Sequence, residues 1–362
     1  MKPAKPAVRA ATALLTFIFL AAACGSSSET VSEVVSEAGS ETGSEAISDA
    51  ESSTDSDSGE DATVDAHAAS DADDSMVADA AQGTPVDAGL FFDGALAEEI
   101  STQDCTLSDG SASTCYLVTV VGYPVDNEIG PFCPSTTDTS AEEAGIWFDG
   151  DGLYDLDGEF ILGLAELYND SNWMLYDEDG NVNVTETAEA FDAAARPNVD
   201  PEYQNHCVEG RIEWLDGGEP VQSTVLLPAS PTLATSPSQT RGSLGVTLNG
   251  VAIDAAAPVD AILGAYTIAA FDDCGGHINP VAGYHLHGAT GCGEVEMADH
   301  AAMFGYALDG FAIHSPYGLD GDRYADLDGC GGHTTDDLGY HYHASPAAEN
   351  AVIGCISGLT AQ

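Results

Sequence analysis

Cys274-Gly-Gly-His277-Ile-Asn-Pro-Val-Ala-Gly-Tyr284-His285-Leu-His287 returns 56 residues later as Cys330-Gly-Gly-His333-Thr-Thr-Asp-Asp-Leu-Gly-Tyr340-His341-Tyr342-His343. The cysteine, the glycine pair, all three histidines, the later glycine and the tyrosine align without a gap. A Gly-Cys follows each copy, at Cys292 and at Cys355. Side chains of a strand alternate between faces, so His-x-His places both imidazoles on one side. His285 with His287, and His341 with His343, therefore read as preformed pairs. His277 and His333 follow Gly-Gly turns and can fold back as third ligands. Three neutral imidazoles with an open position suit copper, zinc or iron. One centre per copy and one centre shared between copies both fit this spacing; the cysteines that bracket each copy favour separate centres. Tyr284 and Tyr340 alternate away from the histidines, as core or supporting residues. His314, between the copies, reads equally as a packed strand-end residue or a ligand. His300 and His206 have weaker claims. The competing reading makes the histidines structural, bonded to loop backbone in disulfide-braced turns.

The N-terminus reads as an export signal. Lys2, Lys5 and Arg9 precede a short apolar run, and Ala21-Ala22-Ala23-Cys24 resembles a lipobox. Residues 1–24 are thus expected to be removed or processed, with Cys24 carrying a lipid that holds the protein to a membrane at the cell surface or in the periplasm. Cleavage by ordinary signal peptidase would release it instead. Residues 25–84 carry 16 acids and no Lys or Arg. Such a segment cannot bury enough surface to offset chain entropy, so it is expected to be a disordered tether, with His67 inside it. The whole chain holds 61 acids against 7 Lys and Arg, a formal charge of −54. That surface repels nucleic acid and argues against it as a partner.

Setting Cys24 aside leaves an even set of eight cysteines, which in an exported chain argues for disulfides. Cys105 with Cys115 can close a small loop. Cys274 with Cys292, and Cys330 with Cys355, each bracket one copy, which leaves Cys133 with Cys207. Short β-branched runs at 115–121, 223–227 and 244–248 read as strands. Asn249-Gly250 marks a hairpin, and 305–314 reads as two strands around Asp309-Gly310. One helix is expected over 187–196, capped by Thr185 or Thr187 and stopped by Pro197. The fold class is mainly β: a disulfide-braced sandwich or barrel-like domain with few short helices and an internal duplication near the C-terminus. A β-rich part spans 95–240 and the duplicated part 241–357.

A weaker echo joins Asp149, Asp151, Asp155 and Asp157 to Asp320, Asp322, Asp326 and Asp328, closely spaced aspartates among Gly turns. Closely spaced carboxylates can wrap calcium, although Asp-Gly runs also make plain turns. No Gly-x-Ser-x-Gly elbow, phosphate loop or dinucleotide fingerprint is present, so no catalytic residue is assigned.

Tyr340-His341-Tyr342-His343, preceded by Asp328-Gly-Cys-Gly-Gly-His333 and followed by Gly354-Cys355, resembles the YHYH family, named for that motif. Gly245-Val-Thr-Leu-Asn249-Gly250-Val-Ala-Ile and Tyr306-Ala-Leu-Asp309-Gly310-Phe311 extend the resemblance over roughly 240–357. It implies an exported, bacterial-type protein and no particular reaction. Two functions are therefore expected to compete: transition-metal binding through the His triplets, and extracellular recognition of a glycan or protein.

Overall fold

The computed structural model describes residues 83–195 and 199–362. The signal at 1–24, the tether up to residue 82 and the expected helix stop at Pro197 lie outside them.

The N-terminal part contributes β1 (Ser101–Thr106), β2 (Ala112–Val120), β3 (Ile146–Phe148), β4 (Leu153–Asp155), α1 (Gly158–Leu167), α2 (Ala188–Ala194), β5 (His206–Val208), β6 (Ser223–Pro228) and β7 (Leu233–Ser238). The duplicated part begins with β8 (Ser243–Thr247), β9 (Ala252–Asp254), α3 (Val259–Gly264), β10 (Thr267–Ala269), β11 (Gly276–Asn279) and β12 (Gly283–Leu286). It continues with β13 (Met303–Ala307), β14 (Ala312–His314), β15 (Gly332–Thr335), β16 (Gly339–His343) and β17 (Ile356–Gly358). The fold is mainly β with three short helices and sandwich-like packed sheets. Among the described residues no sheet closes into a barrel.

The strands expected at 115–121, 223–227 and 244–248 are β2, β6 and β8, and both expected hairpins form, as β8–β9 and β13–β14. Thr187, not Thr185, caps α2, its hydroxyl accepting from Ala190 N at 3.1 Å. Thr185 instead donates to Glu209 O at 2.7 Å. Helix α1 has no counterpart in the sequence reading. Its cap, Asp157, accepts from Phe160 N at 2.8 Å, a use of the carboxylate that Asp-Gly spacing alone does not distinguish from a cation loop.

The central sheet has eight strands in the order β11-β12-β9-β8-β13-β14-β16-β15. This order is palindromic: each half is a hairpin, then a parallel neighbour, then an antiparallel outer strand. The halves meet where Val246 of β8 pairs with Tyr306 of β13. Those two positions are equivalent, since 306 − 246 = 60, and the same offset aligns Gly245 with Gly305, Asn249 with Asp309, Gly250 with Gly310, and Ile253 with Ile313. A pseudo-two-fold axis therefore crosses the sheet at that pair. The duplicated unit is thus larger than the histidine motif and includes the hairpin before it. Sterics hold the seam: a Cβ on Gly245 would lie 2.1 Å from Tyr306 O, and one on Gly305 would lie 2.3 Å from Val246 O.

One face of the sheet packs into a core of Leu244, Ile253, Tyr284, Leu286, Ile313, Tyr340 and Tyr342, with Phe191 of α2 and Val352, Ile353 and Ile356 from the C-terminal segment. Near the seam, the other face packs Val246, Tyr306 and Ala312 against Val118, Val120, Val225 and Leu227 of the β1-β2-β6 sheet. A further core gathers Trp147, Phe148, Leu156, Ile161, Leu164, Trp173 and Phe271 around α1. Four disulfides brace the chain: Cys105–Cys115, Cys133–Cys207, Cys274–Cys292 and Cys330–Cys355.

Candidate metal centres

Each Cys-Gly-Gly-His turn is built around an aspartate two residues before its cysteine. Asp272 Oδ1 accepts from Cys274 N and Gly276 N, both at 3.1 Å, and its Oδ2 accepts from Tyr284 Oη at 2.8 Å. Asp328 repeats this with Cys330 N at 2.8 Å, Gly332 N at 3.0 Å and Tyr340 Oη at 2.8 Å. The first glycine of each pair takes a left-handed conformation, φ 81° at Gly275 and 89° at Gly331. The second leaves room for the tyrosine, because a Cβ on Gly276 or Gly332 would sit 2.3 or 2.1 Å from that hydroxyl. The glycines and tyrosine thus fix the turn, and the turn aims the histidine. Across the strand pair, His277 stands opposite His285, and His333 opposite His341. The alternation read from the sequence holds: Tyr284, Leu286, Tyr340 and Tyr342 enter the core, while the histidines occupy the opposite face.

Two separate histidine groups result. In the first, the Nε2 atoms of His277, His285 and His287 form a triangle with edges of 3.2, 3.0 and 3.2 Å. In the second, His333 Nε2 lies 2.9 Å from His341 Nε2 and 3.3 Å from His343 Nε2, and His300 Nε2 lies 3.2 Å from His341 Nε2. Each set fits within 4.8 Å, and among the described residues these are the groups of three or more ligand atoms so gathered. Both groups can hold a metal ion. Three nitrogens at about 2.05 Å from one tetrahedral ion lie about 3.3 Å apart, close to these edges.

The tautomers sharpen the point. His285 Nδ1 lies 3.0 Å from Gly283 O, and His287 Nδ1 lies 2.5 Å from Ala255 O. In the second copy, His341 Nδ1 is 3.0 Å from Gly339 O and His343 Nδ1 is 2.9 Å from Ser315 O. A carbonyl only accepts, so each of these Nδ1 atoms carries the proton and donates it. Each neutral ring then turns a bare Nε2 lone pair toward the centre of its group. Two such lone pairs, on His285 and His287, face each other at 3.0 Å. A cation between them relieves the repulsion, and an Nδ1–H fixed on a carbonyl is the usual support of a metal-bound histidine. On the second group, His333 Nδ1 lies 3.1 Å from Asp326 Oδ1 as a charged neighbour, without the hydrogen-bond geometry of the carbonyl-held rings.

Burial keeps these rings neutral. Desolvation holds His277 well below the ordinary imidazole value, His287 and His343 at about 3 and His341 at about 2, and it also lowers His285 against the opposing pull of Asp254. His314 is buried and brought down to about 4 mainly by desolvation; its Nδ1 lies 2.9 Å from Ala301 O and its ring is 4.6 Å from that of His300. His300, to which the sequence gives only a weaker claim, belongs to the second group. It lies in a loop outside the repeated motif, so no echo marked it. His206 sits apart from both groups, its Nδ1 3.1 Å from Gln204 O.

Several carboxylates of the Asp-Gly stretches are engaged in local structure. Asp149 accepts from Asp151 N at 3.0 Å, Gly152 N at 2.9 Å and Tyr168 Oη at 3.0 Å. Asp320 accepts from Asp322 N at 3.1 Å, Asp157 caps α1, and Asp328 holds the second turn.

Comparison with known proteins adds one finding. A family model described as YHYH protein matches residues 224–325, which hold the first His triplet, His300, His314 and the β8–β9 and β13–β14 hairpins. The second triplet and its Tyr340-His341-Tyr342-His343 lie beyond that match. No curated protein and no solved structure matches the chain.

Proposed function

We propose that this is an exported protein, held to a membrane through a lipid on Cys24, whose duplicated sheet binds two transition-metal ions, one at each histidine group. The observation that carries the reading is the pair of bare Nε2 lone pairs on His285 and His287, 3.0 Å apart and each enforced by an Nδ1–H on a carbonyl. Hydrogen bonding to loop backbone alone would not need the rings to converge through their unprotonated nitrogens. Copper, zinc and iron suit all-imidazole sets. A bound ion with an open position would act as a Lewis acid or activate water, while the chain's own part is to hold the rings neutral, aimed and dry. The acidic surface makes nucleic acid an unfavourable partner.

Elemental analysis of the full chain after metal loading tests this. Two equivalents are expected, falling to one in His341→Ala and to one in His285→Ala, with folding checked by circular dichroism. A folded protein that retains no copper, zinc or iron at micromolar concentration defeats the reading and leaves the histidines structural. Membrane attachment is tested separately: Cys24→Ser should release the protein from the membrane fraction.

A further inference from the structure

The 60-residue correspondence between the two hairpins places unlike residues at the rim of the two groups. Asp254 ends β9 where His314 ends β14, since 314 − 254 = 60. The next positions, Ala255 and Ser315, do the same job in both copies, accepting from His287 and His343. The alignment is therefore sound at this point, and the change from carboxylate to imidazole is a real difference between otherwise matched environments. Asp254 Oδ2 lies 3.8 Å from His285 Nε2. On the other side, His314 is buried with its Nδ1 fixed on Ala301 O, and its ring centre is 5.0 Å from that of His341. His300 adds a fourth Nε2 there; the corresponding position in the first copy is Thr240.

We propose that the two centres have diverged in metal preference: the second, with four imidazoles, is the more selective for copper, which leaves zinc to the first, three imidazoles with the Asp254 carboxylate beside them. This rests on the two-centre reading above. The chemistry follows from donor type. The preference for copper over zinc along the divalent series grows with each nitrogen donor and is weaker for a hard carboxylate oxygen. The second group, with His300 as a fourth imidazole where the first has only a carboxylate 3.8 Å from one ring, should therefore show the higher copper-to-zinc ratio. The arrangement lets one chain hold two different ions at once without either displacing the other.

The test uses the full chain, stripped with a chelator and given one equivalent each of Cu2+ and Zn2+. Electron paramagnetic resonance of the bound copper should show one species with nitrogen-only ligation. In Asp254→His, with folding checked by circular dichroism, copper should spread over both centres, with the first centre's copper-to-zinc ratio rising in chelator competition. Copper divided evenly between the centres of the unmodified protein, or a nitrogen-and-oxygen copper species in it, would overturn the proposal while leaving two-centre binding intact. Retention of neither ion would instead defeat the two-centre reading itself.

Discussion

Tyr342 shows how single residues hold the second copy together from behind. Its hydroxyl donates to Asp309 Oδ2 at 2.5 Å and accepts from Ser357 N at 2.7 Å, all buried. The first copy has Leu286 and Asn249 at the two equivalent positions, so the bond is absent there as a pair. Tyr342→Phe would leave Asp309 only its bonds from Gly358 N and Phe311 N and would deprive Ser357 N of its acceptor; it should cost about 1–3 kcal/mol in chemical denaturation. Metal stoichiometry should not change, because the ring faces the core. Lost metal with unchanged stability would contradict this assignment. The histidines make a prediction in pH. Burial lowers His277, His285, His287, His300, His314, His341 and His343 below 6.5, to about 2 at His341 and about 4 at His314. Below pH 6.5 the unfolded chain takes up protons that the folded chain refuses, so their contribution is complete above 6.5 and is lost as the pH falls toward the folded values. Asp272 and Asp309, raised by burial to about 6, oppose this between about 4 and 6, where the folded state holds the extra protons. The histidines are more numerous and more strongly shifted. The metal-free protein should therefore melt at a lower temperature at pH 5 than at pH 7.5, and a scan in chelator that finds no decrease would count against buried neutral imidazoles.

At the scale of elements, the seam strands β8 and β13 give the sharpest contrast. Gly→Ala at an unstrained, uncrowded site stabilises by about 0.4–1 kcal/mol through the unfolded chain. Gly163, in α1, has nothing within 4 Å of an added Cβ and should behave that way. Gly305→Ala should have the opposite sign, losing about 1–3 kcal/mol, because the methyl would meet the backbone oxygen of Val246. Denaturant titration of the two variants side by side checks both. The same strands mark what the sequence made legible. Period-two alternation and the turn pairs Asn249-Gly250 and Asp309-Gly310 are local signals, and they located β8, β9, β13 and β14. The His-x-His alternation likewise fixed which side chains leave the core. Helix α1 was hidden because its cap sits in an Asp-Gly run and glycines interrupt it at Gly158 and Gly163. His300 and Asp254 were hidden for a different reason: they reach the centres only through the pairing of β14 with β16, beside β13, and of β12 with β9, which no window of sequence displays.

For the molecule as a whole, the disulfides divide into local and long-range braces. Cys133–Cys207 closes 74 residues and ties the loop before β3 to β5, whereas Cys330–Cys355 closes 25. Chain entropy assigns the longer loop about 4 kcal/mol and the shorter somewhat less. Replacing both Cys133 and Cys207 with Ala should therefore lower unfolding stability by about 4 kcal/mol and leave metal content at two equivalents, since neither cysteine touches a histidine group. Loss of metal on removing this bridge, measured by elemental analysis of folded protein, would show that the lobe around α1 shapes the centres after all.

The pairing of Val246 with Tyr306 has an ancestral consequence. A strand that pairs in antiparallel register with its own duplicate is self-complementary, as in a two-fold homodimer. A forerunner with one copy of the unit would have had an unpaired edge at this strand and an identical chain able to cover it. Joining two such copies in one chain would make that association permanent and independent of concentration. It would also free each half to carry its own residues, as with histidine against aspartate at 314 and 254. Relatives with a single unit are accordingly expected to be symmetric dimers paired along this strand, and a monomeric relative with the edge exposed to water would refute that descent.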